Sequence, residues 1–392
     1  MTNYSNIYNA LPVIFEDNIY KGSLYHYTSI EGFLLMLQSI NQKKCYLFPG
    51  HMRYQNDKKE FDEGLKFVDD NFLKITSEMW KKCFPKEIEE INTNIFISCF
   101  SSNGDLLEQW KYYGSKCGLS IEFDFSECEG FWESQEIPLS QEVNEYNYNE
   151  HILTEENEGN DPFGFDKNID NHYFSTSKKG LTRQGISLSP INVLYEEDDK
   201  HNVLKKTLIT DINKKMLELN LYESYSELNQ YVECTISAFI PMCKNYYFKH
   251  EKESRLLFFP SENTEIKYRE KNGRILPYLK CVVVNKDSEK YPVLSVMVGP
   301  GNNQNLVFNA VINMLDGIDN HNFISEKDCE KVQNSLDLCY NCKSELREKA
   351  KPGRLYCYQK DNEETGVQDK VVTYYSSRTG ILVSKSPIPF RD

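Results

Sequence analysis

The chain has 392 residues, of which 40% are hydrophobic and 27% are charged, and its formal net charge is −14. This composition is typical of a globular protein and excludes a fibrous or wholly disordered one. The negative charge argues against general binding to nucleic acid or to anionic membranes, while leaving room for a local basic cleft. No long apolar run and no signal-peptide pattern occurs, so we expect no membrane segment and a cytoplasmic protein.

The first part of the chain predicts strands alternating with helices. We expect strands at 23–27, 44–48, 94–100 and 118–125. In the last of these, Leu119, Ile121 and Phe123 alternate with Ser120 and Glu122. We expect helices at 29–40, 60–72 and 106–113. Thr28 and Glu31 stand in capping-box spacing before the first helix. Its apolar stripe at helical period is Phe33, Leu34, Leu37 and Ile40.

Residues 140–179 are rich in Asn, Glu, Asp and Tyr and show little hydrophobic periodicity. This composition predicts an inserted surface loop, which could serve as a lid over a ligand. Beyond it we expect helices at 200–219, 226–246 and 303–315. The later strands, at 255–259, 266–268, 279–284 and 294–298, are predicted to form one antiparallel sheet.

These elements predict an α+β fold with a central, mostly antiparallel sheet and flanking helices. We expect a main domain over residues 1–320, with the polar insert at about 140–180. Residues 321–392 are predicted to form a small C-terminal extension that packs on this domain and contains a strand at 371–375.

His26 is the first candidate functional residue, because it ends a predicted strand just before a capped helix. Helix N-termini attract phosphate and carboxylate groups, and a histidine there could bond a ribose hydroxyl or transfer a proton. The alternative is a core histidine that bonds to neighbouring backbone.

Asn56, Asp57 and Glu60 form a second group at a helix start. At a helix start such residues commonly form the preceding turn, the N-cap and an acidic residue of the first helical turn. The same groups could instead bind a ligand or a metal ion. Trp110 and Tyr113 belong to a third, aromatic group that ends at Gly114. Their rings could stack on a planar ligand, or pack a helix on the sheet.

Glu251, Glu253 and Arg255 alternate at the start of a predicted strand and would share one face of it. An apolar run follows at once, so these charges stand where a buried strand emerges. They could form surface ion pairs, or they could line a site in which two carboxylates have separated pKa values.

The twelve cysteines are spread over a long chain without an export signal, so most are expected to be reduced and buried. Cys339 and Cys342 form one C-x-x-C pair, and Cys357 is a further candidate ligand. One such pair is half of a zinc ribbon, so these three cysteines are weak candidates for a metal site. The alternative is that they are ordinary thiols.

The ordered motifs of this chain resemble an uncharacterised bacterial family, domain-of-unknown-function family twenty-nine seventy-one. The matching segments are Tyr25-His26-Tyr27-Thr28-Ser29, Asn56-Asp57-x-x-Glu60, Ile97-Ser98-Cys99-Phe100-Ser101, Gln109-Trp110-x-x-Tyr113-Gly114, Val193-Leu194-Tyr195, Glu251-Lys252-Glu253-Ser254-Arg255, Pro277-Tyr278, Val298-Gly299-Pro300 and the closing Ser386-Pro387-Ile388-Pro389-Phe390-Arg391. This resemblance implies no established activity.

A strand that ends in His-Tyr-Thr before a capped helix also resembles the first motif of ADP-ribosyltransferase-like folds. The resemblance implies that His26 contacts the ribose of NAD, that Tyr112 or Tyr113 flanks the nicotinamide, and that Glu251 or Glu253 is the catalytic glutamate. Cleavage of the nicotinamide–ribose bond builds positive charge on the sugar, which a carboxylate stabilises without a metal.

The first functional hypothesis is therefore an enzyme that acts on NAD or a related nucleotide, by ADP-ribosyl transfer or glycosidic cleavage, in bacterial defence or stress. Its predicted catalytic residues are His26, Glu251, Glu253 and Arg255. Its predicted ligand-binding residues are Tyr27, Thr28, Asn56, Asp57, Glu60, Trp110 and Tyr113.

Two alternatives remain open at this stage. The second hypothesis is a metal-dependent hydrolase or nuclease that uses Asp57, Glu60, Glu251 and Glu253. The third is a non-enzymatic sensor or interaction module, for which the polar insert would be a surface that binds a protein partner.

Overall fold

The structure is a computed structural model. It describes residues 15–55, 58–75, 94–113, 117–132, 186, 188–207, 235–260, 264–271, 273–317, 324, 351–361 and 368–388. The polar insert at 140–180, Asn56, Asp57, Cys339 and Cys342 lie outside these residues, as do parts of the helices expected at 200–219 and 226–246.

The helices and strands are numbered here in chain order. The α-helices discussed below are α1 (Ile30–Leu37), α2 (Lys58–Ile75), α3 (Leu107–Tyr113), α4 (Glu197–Lys205) and α5 (Gln304–Asp316). The strands are β1 (Ser23–Thr28), β2 (Lys44–Leu47), β3 (Gly50–His51), β4 (Phe96–Ser101), β5 (Leu119–Asp124), β6 (Cys128–Trp132), β7 (Ile191–Asn192), β8 (Glu253–Phe258), β9 (Lys267–Lys271), β10 (Arg274–Tyr278), β11 (Cys281–Asn285), β12 (Val293–Val298), β13 (Arg354–Asp361), β14 (Gln368–Tyr375) and β15 (Leu382–Lys385).

Twelve strands form the main sheet, in the order β13-β14-β15-β12-β5-β1-β4-β3-β10-β9, with β8 paired to β4 and β7 paired to β8. All of its ladders are antiparallel except the one between β12 and β15. The predicted α+β class with a mostly antiparallel central sheet is confirmed. The late strands β13 to β15 continue this sheet directly.

The expectation that all the late strands share one sheet is wrong for one of them. Strand β11 pairs with β2 and β6 in a separate three-stranded sheet. Its run Cys281-Val282-Val283-Val284 is apolar on both faces, and such a run predicts a buried strand without indicating its neighbours. The buried Cys281 and Val283 belong to the main hydrophobic core.

The central part of the main sheet is covered on both faces, and the two faces differ in chemistry. Alternate residues of its central strands, such as Leu24, Phe100 and Ile121, lie in a large apolar core with Phe33 of α1 and Phe308 of α5. We call the opposite side the polar face. In the middle of the sheet it carries buried polar side chains, which are Ser101, Ser120, Glu122, Glu253, Arg255 and Ser295. Strand β5 therefore alternates in polarity as predicted, but Ser120 and Glu122 are buried too.

Several element boundaries differ from the predicted ones for local reasons. Ser29, rather than Thr28, caps α1, since its hydroxyl accepts a hydrogen bond from Gly32 N at 3.2 Å. Helix α1 ends at Leu37, and Leu34 is 53% exposed, so the predicted apolar stripe is only partly buried. In its described part, the helix expected at 226–246 is helical at 235–239 and then gives way to short 3₁₀ turns at Ile240–Met242 and Tyr246–Glu251.

No helix in the part of the chain that the structure describes has the length and apolar composition required to span a bilayer. The described cysteines other than Cys99 are buried, as expected.

Asp316 connects the end of α5 to the turn between β14 and β15. Its buried carboxylate accepts hydrogen bonds from Tyr374 Oη at 2.8 Å and Ser376 Oγ at 2.5 Å. The backbone N–H groups of Ser377 and Arg378 donate to it at 3.2 Å. Burial would raise the pKa of Asp316, but these donors outweigh it and hold the pKa below its ordinary value.

We expect Asp316→Asn to lower the free energy of unfolding by about 2–3 kcal/mol, because an amide cannot accept from all four donors and leaves buried groups unpaired. The contribution of the native carboxylate should be present above the ordinary aspartate pKa and disappear as the pH falls through its lowered value. Chemical denaturation at several pH values measures both effects. The control is Asp62→Asn on the exposed side of α2, for which a change within about 0.5 kcal/mol is expected.

Candidate functional site

Five charged side chains meet on the polar face of the sheet, where β8 begins. We call Glu60, Lys244, Glu251, Glu253 and Arg255 the ionic cluster. Lys244 Nζ donates to Glu251 Oε2 and to Glu253 Oε2, both at 2.6 Å, and lies 3.9 Å from Glu60 Oε1. The five side chains are between 3% and 11% exposed, so each of them needs a partner of opposite charge at close range inside the protein.

Arg255 is the second cation of the ionic cluster. Its Nε donates to Glu253 Oε1 at 2.7 Å, and one terminal nitrogen donates to Glu253 Oε2 at 3.1 Å and to Glu60 Oε1. The other terminal nitrogen donates to Pro241 O at 2.5 Å. This two-point pairing of guanidinium and carboxylate is the strongest geometry available to an arginine, and it fixes the orientation of Glu253.

The local backbone explains how Glu251 and Glu253 both reach Lys244. Glu251 ends a 3₁₀ turn, and Lys252 has left-handed backbone angles, with φ 48° and ψ 48°. Strand β8 starts immediately afterwards, so the alternation predicted from an extended 251–255 segment does not apply. The predicted meeting of these carboxylates with Arg255 nevertheless occurs, because the bend at Lys252 turns Glu251 back towards the strand.

Helix α2 brings Glu60 to the cluster. One turn beyond Glu60, Gly64 faces the 3₁₀ turn at Ile240–Met242, and a Cβ at this position would lie 2.7 Å from Ile240 O. Only glycine permits this close approach of the two backbones. The approach places Glu60 beside Arg255, whose guanidinium also bonds to Pro241 of the same turn.

The two adjacent carboxylates differ in protonation behaviour. Burial would raise the pKa of Glu253, but Arg255 and Lys244 outweigh it and hold the pKa of Glu253 well below its usual range. Burial raises the pKa of Glu251, which Lys244 only partly offsets. Burial would likewise lower the pKa of Lys244, but Glu253 keeps the ammonium charged. The predicted separation of the two carboxylate pKa values therefore has a physical cause in this geometry.

Glu251 is the more available of the two carboxylates. Glu253 accepts hydrogen bonds through both oxygens, from Arg255 and from Lys244. Among the described residues, the Glu251 carboxylate is bonded by Lys244 alone, through Oε2, which leaves Oε1 for a ligand.

Two tyrosines and a cysteine surround the ionic cluster. Tyr195 Oη accepts a hydrogen bond from Glu253 N at 2.9 Å. Tyr113 is 40% exposed, and partial burial together with the nearby Cys99 and Glu253 raises the pKa of its hydroxyl. Burial and the nearby Glu253 raise the pKa of Cys99 as well, so this thiol is not an activated nucleophile. The two tyrosine hydroxyls therefore stay protonated and can donate hydrogen bonds beside the charged side chains of the cluster.

A cleft of about 480 Å³ leads to the ionic cluster between α2 and α4. Its walls carry Glu63, Lys66, Phe67, Asp70, Tyr195, Glu196, Glu197, Lys200, Cys243, Lys244, Asn245 and Tyr246. Lys244 and Tyr195, which both bond to Glu253, join this α2–α4 cleft to the cluster. The cleft is large enough for a small organic ligand.

His26 does not belong to this site. Tyr25 pairs with Ser101, and Ser101 pairs with Glu253, so these three residues share the polar face. His26 is the next residue after Tyr25 and therefore points to the apolar face, where its ring lies 5.3 Å from the Phe100 ring. The expectation that His26 and Glu253 serve one catalytic site is therefore wrong, because each step along a strand reverses the direction of the side chain.

The contacts of His26 are those of a core histidine. Its Nδ1 lies 2.9 Å from Cys99 O, and because a carbonyl can only accept, Nδ1 carries the proton. Burial lowers the pKa of His26, so the ring is neutral near pH 7.

The other predicted ligand-binding residues divide between packing and the site. Trp110 is buried against Tyr27, with ring centroids 4.7 Å apart, and Tyr27 Oη donates to Asn103 O at 2.8 Å. Thr28 ends β1 opposite Leu119, away from the cluster. Glu60 does lie at the cluster, and the half-exposed Tyr113 is near enough to interact electrostatically with Glu253. Cys357 is buried in β13.

The geometry also bears on the metal-site hypothesis. The carboxylates of Glu60, Glu251 and Glu253 converge, but the ammonium of Lys244 occupies the space between them. Within the described ranges no group of three or more His, Cys, Asp or Glu side chains has the geometry to hold a metal ion.

Sequence reasoning missed Lys244. The sequence signal for it is a single lysine directly after the apolar run Phe239-Ile240-Pro241-Met242-Cys243, where the pattern predicts a buried segment and not an exposed surface. A lysine that follows a buried run needs a carboxylate partner.

Comparisons with protein-family models, curated proteins and solved structures find no match for this chain. Both family resemblances therefore stay predictions.

We expect Lys244→Met to lower the free energy of unfolding by about 3–5 kcal/mol near neutral pH, because it leaves two buried carboxylates without their shared cation. The pKa of Glu251, already raised, should rise further, and a group with a raised pKa costs stability as the pH increases through that value. The loss should therefore shrink towards pH 4–5. Denaturation curves between pH 4 and 8 measure this trend.

The matched control is Lys249→Met, which removes an exposed lysine paired with Glu196. Its effect on stability should be small and should not follow the same pH trend, since exposed pairs contribute little. An equal effect of both substitutions would contradict the central role of Lys244.

Proposed function

We propose that this chain is an enzyme that cleaves the glycosidic bond of NAD or a closely related nucleotide, with Glu251 as the charge-stabilising carboxylate. The observation that carries the proposal is the state of Glu251. It is held in place by Lys244 through one oxygen, while the other oxygen is left without a hydrogen bond among the described residues. Such a preorganised carboxylate suits a reaction that develops positive charge.

The proposed reaction requires of the protein chiefly that it stabilise the positive charge that develops on the sugar. The bond between ribose C1′ and the nicotinamide nitrogen breaks, and its electron pair leaves with the nitrogen, so the cationic pyridinium departs as neutral nicotinamide. Positive charge develops on C1′ and the ring oxygen, where Glu251 stabilises it. Water, or a nucleophilic group of a target molecule, then bonds to C1′ and loses a proton. The departing group needs no general acid.

The α2–α4 cleft supports binding of a nucleotide. Tyr246 is 56% exposed and offers a ring face for stacking. Lys66 lies exposed on the cleft wall and is suited to a phosphate oxygen, whereas the ammonium of Lys200 is bonded to Glu197 at 3.0 Å. Tyr195 beside Glu253 offers a hydroxyl to ribose oxygens.

The other charged residues hold Glu251 in place. Lys244 bonds to it directly, and Glu253 with Arg255 fixes Lys244. Glu253 was predicted to be catalytic, but both of its oxygens are already bonded, so we assign it and Arg255 to positioning. Glu253→Gln would change stability and activity together, which makes Glu251 the informative position.

We expect the wild-type protein to release nicotinamide from NAD, and Glu251→Gln to reduce this rate by about a hundredfold or more while the melting temperature changes little. The amide keeps an oxygen for Lys244 but loses the negative charge. Nicotinamide release, measured by chromatography, and thermal melting are followed on the same preparations.

The control is Glu265→Gln, which removes an exposed carboxylate paired with Lys267 outside the site and should change neither measurement. Absence of nicotinamide release by the wild-type protein would refute NAD as the substrate. Equal rates for the wild type and Glu251→Gln would refute the role of Glu251.

The pH profile provides an independent check. Glu251 must be ionised to stabilise positive charge, and its pKa is raised above the usual range. We therefore expect kcat/KM to increase with pH, with a midpoint above the ordinary glutamate value of about 4.3. A midpoint at or below that value would contradict the assignment of Glu251.

A further inference from the structure

Strands β9 and β10 form a hairpin at one end of the main sheet. The two strands pair at five positions, beginning with Lys271 and Arg274 beside the turn. Gly273 in the turn has φ 72°, which glycine adopts without strain, and its N–H donates to Glu270 Oε1 at 2.6 Å. Strand β10 also pairs with β3, whereas β9 is the last of the described strands in the order of the sheet. The hairpin therefore forms an outer edge of the main sheet.

This hairpin carries positive charge in a chain that is acidic as a whole. Residues 267–280 contain five cations and one carboxylate, which gives this segment a net charge of +4, whereas the whole chain has a net charge of −14. The five cations are Lys267, Arg269, Lys271, Arg274 and Lys280. At about 0.1 M salt the field of a surface charge is screened beyond about 10 Å. A molecule bound at the hairpin therefore experiences these cations more strongly than the net charge of the chain.

Most of the cations lie on one face of the hairpin. Residues opposite each other in an antiparallel ladder point to the same face, and so do alternate residues of one strand. We call the resulting surface the cationic face, and its charged and aromatic members are Lys267, Arg269, Lys271, Arg274 and Tyr278. Glu270 alternates with these cations along β9 and therefore points to the opposite face. The one carboxylate of the hairpin is thus kept apart from the cations.

The charge of the cationic face is only partly neutralised by the rest of the described chain. Lys267 Nζ lies 3.3 Å from Glu265 Oε2. Among the described residues, no carboxylate forms an ion pair with Arg269, Lys271 or Arg274. These three side chains are exposed, so they are accessible to an anionic ligand.

Aromatic rings lie beside these cations. The Arg269 guanidinium lies over the Tyr278 ring, 5.2 Å from its centroid, and the Phe48 ring meets Tyr278 edge-on with centroids 6.0 Å apart. Phe48 in turn stacks on Tyr46, and Lys280 Nζ lies 4.1 Å from the centroid of the Tyr46 ring. Phe48 and Tyr278 are half-buried, so each ring keeps part of its surface exposed. Surfaces that bind single-stranded nucleic acid combine cations and rings in this way.

Protection of the sheet edge is the structural alternative for these charges. Charged side chains on an edge strand prevent it from pairing with the edge of another sheet. This role accounts for the lysines of β9. It does not require the further cation Arg274 on β10, which is paired with β9 along its whole length, and it does not require an arginine held over a ring. The composition of the cationic face therefore indicates more than edge protection.

We propose that the cationic face binds single-stranded nucleic acid, with phosphates on its lysines and arginines and a base against Tyr278 and Phe48. Alternate residues of a strand are about 6.7 Å apart, a step close to that of successive phosphates in an extended single strand. The arginines can bond phosphate oxygens through two N–H groups at once. An unpaired base has a free face for stacking, which a base inside a duplex lacks. This binding does not depend on the proposed reaction at Glu251.

Anisotropy of a fluorescein-labelled oligothymidylate of about 12 nucleotides measures this binding. We expect the wild-type protein to bind it with a dissociation constant of about 1–100 μM near physiological salt. The logarithm of the association constant, plotted against the logarithm of the salt concentration, should have a slope of about −2.8, because each of four cations contributes about −0.7 on a single strand. Absence of binding by the wild-type protein at low salt would overturn the proposal.

Lys271→Gln combined with Arg274→Gln removes two exposed cations of the face, and thermal melting checks that the fold is kept. We expect the affinity at about 0.1 M salt to fall about tenfold and the salt slope to become shallower by about 1.4. The matched control is Lys205→Gln combined with Lys290→Gln, which changes the net charge equally at exposed positions on other segments. It should change neither quantity. Equal weakening by both double variants would show that only the net charge matters and would contradict a site on the hairpin.

The ring of Tyr278 distinguishes nucleic acid from an acidic protein partner. Tyr278→Leu keeps an apolar side chain but removes the ring, and it should weaken oligothymidylate binding about tenfold without changing the salt slope. Tyr278→Phe keeps the ring and should bind like the wild type. Polyglutamate serves as the acidic competitor, and a duplex of the same length should bind more weakly than the single strand. Displacement by polyglutamate at equal charge concentration, with no effect of Tyr278→Leu, would show binding of any polyanion through charge alone and would refute a nucleic-acid site.

Discussion

The pairing of Lys244 with Glu251 and Glu253 is the interaction on which the candidate site depends. Five charges are removed from water at one place, and such a group is tolerated only when every charge has a partner at close range. The five residues come from four segments: Glu60 from α2, Lys244 from the loop after a 3₁₀ turn, Glu251 from the next turn, and Glu253 with Arg255 from β8. The need to pair these buried charges therefore fixes the relative positions of four segments. Among the described residues, the same arrangement leaves one oxygen of the Glu251 carboxylate without a hydrogen bond.

Strand patterns were the most predictable part of the fold. Alternation in β5 and apolar runs in β8 and β12 indicated strands to within two residues at their ends. The separate sheet of β11 could not be predicted, because strand pairing depends on distant neighbours that local periodicity does not encode. The buried Ser120 and Glu122 follow from the same limit: alternation shows that two faces differ, not that both are covered.

The site was predictable in part. The spacing of Glu251, Glu253 and Arg255 beside an apolar run correctly indicated that they would meet, although the left-handed Lys252 changes how they do so. The residue type of His26 and its place in a motif suggested a functional residue. One step along β1, however, moves a side chain to the other face of the sheet, and sequence alone does not show which face carries the charges. The sequence suggested that Trp110 could stack on a ligand, but its ring packs inside the protein against Tyr27. Aromatic residues serve both purposes with the same sequence pattern.

The sequence distances between the partners determine when the site can form during folding. Glu60 and Arg255 are 195 positions apart, so their contact closes a very long loop. The entropy of loop closure disfavours such contacts until the rest of the chain has collapsed, and sheets with this topology fold slowly. The apolar core under the other face of the sheet is therefore expected to be in place before the charges are buried. Until then the carboxylates remain hydrated, and the barrier to folding includes the cost of stripping that water from them.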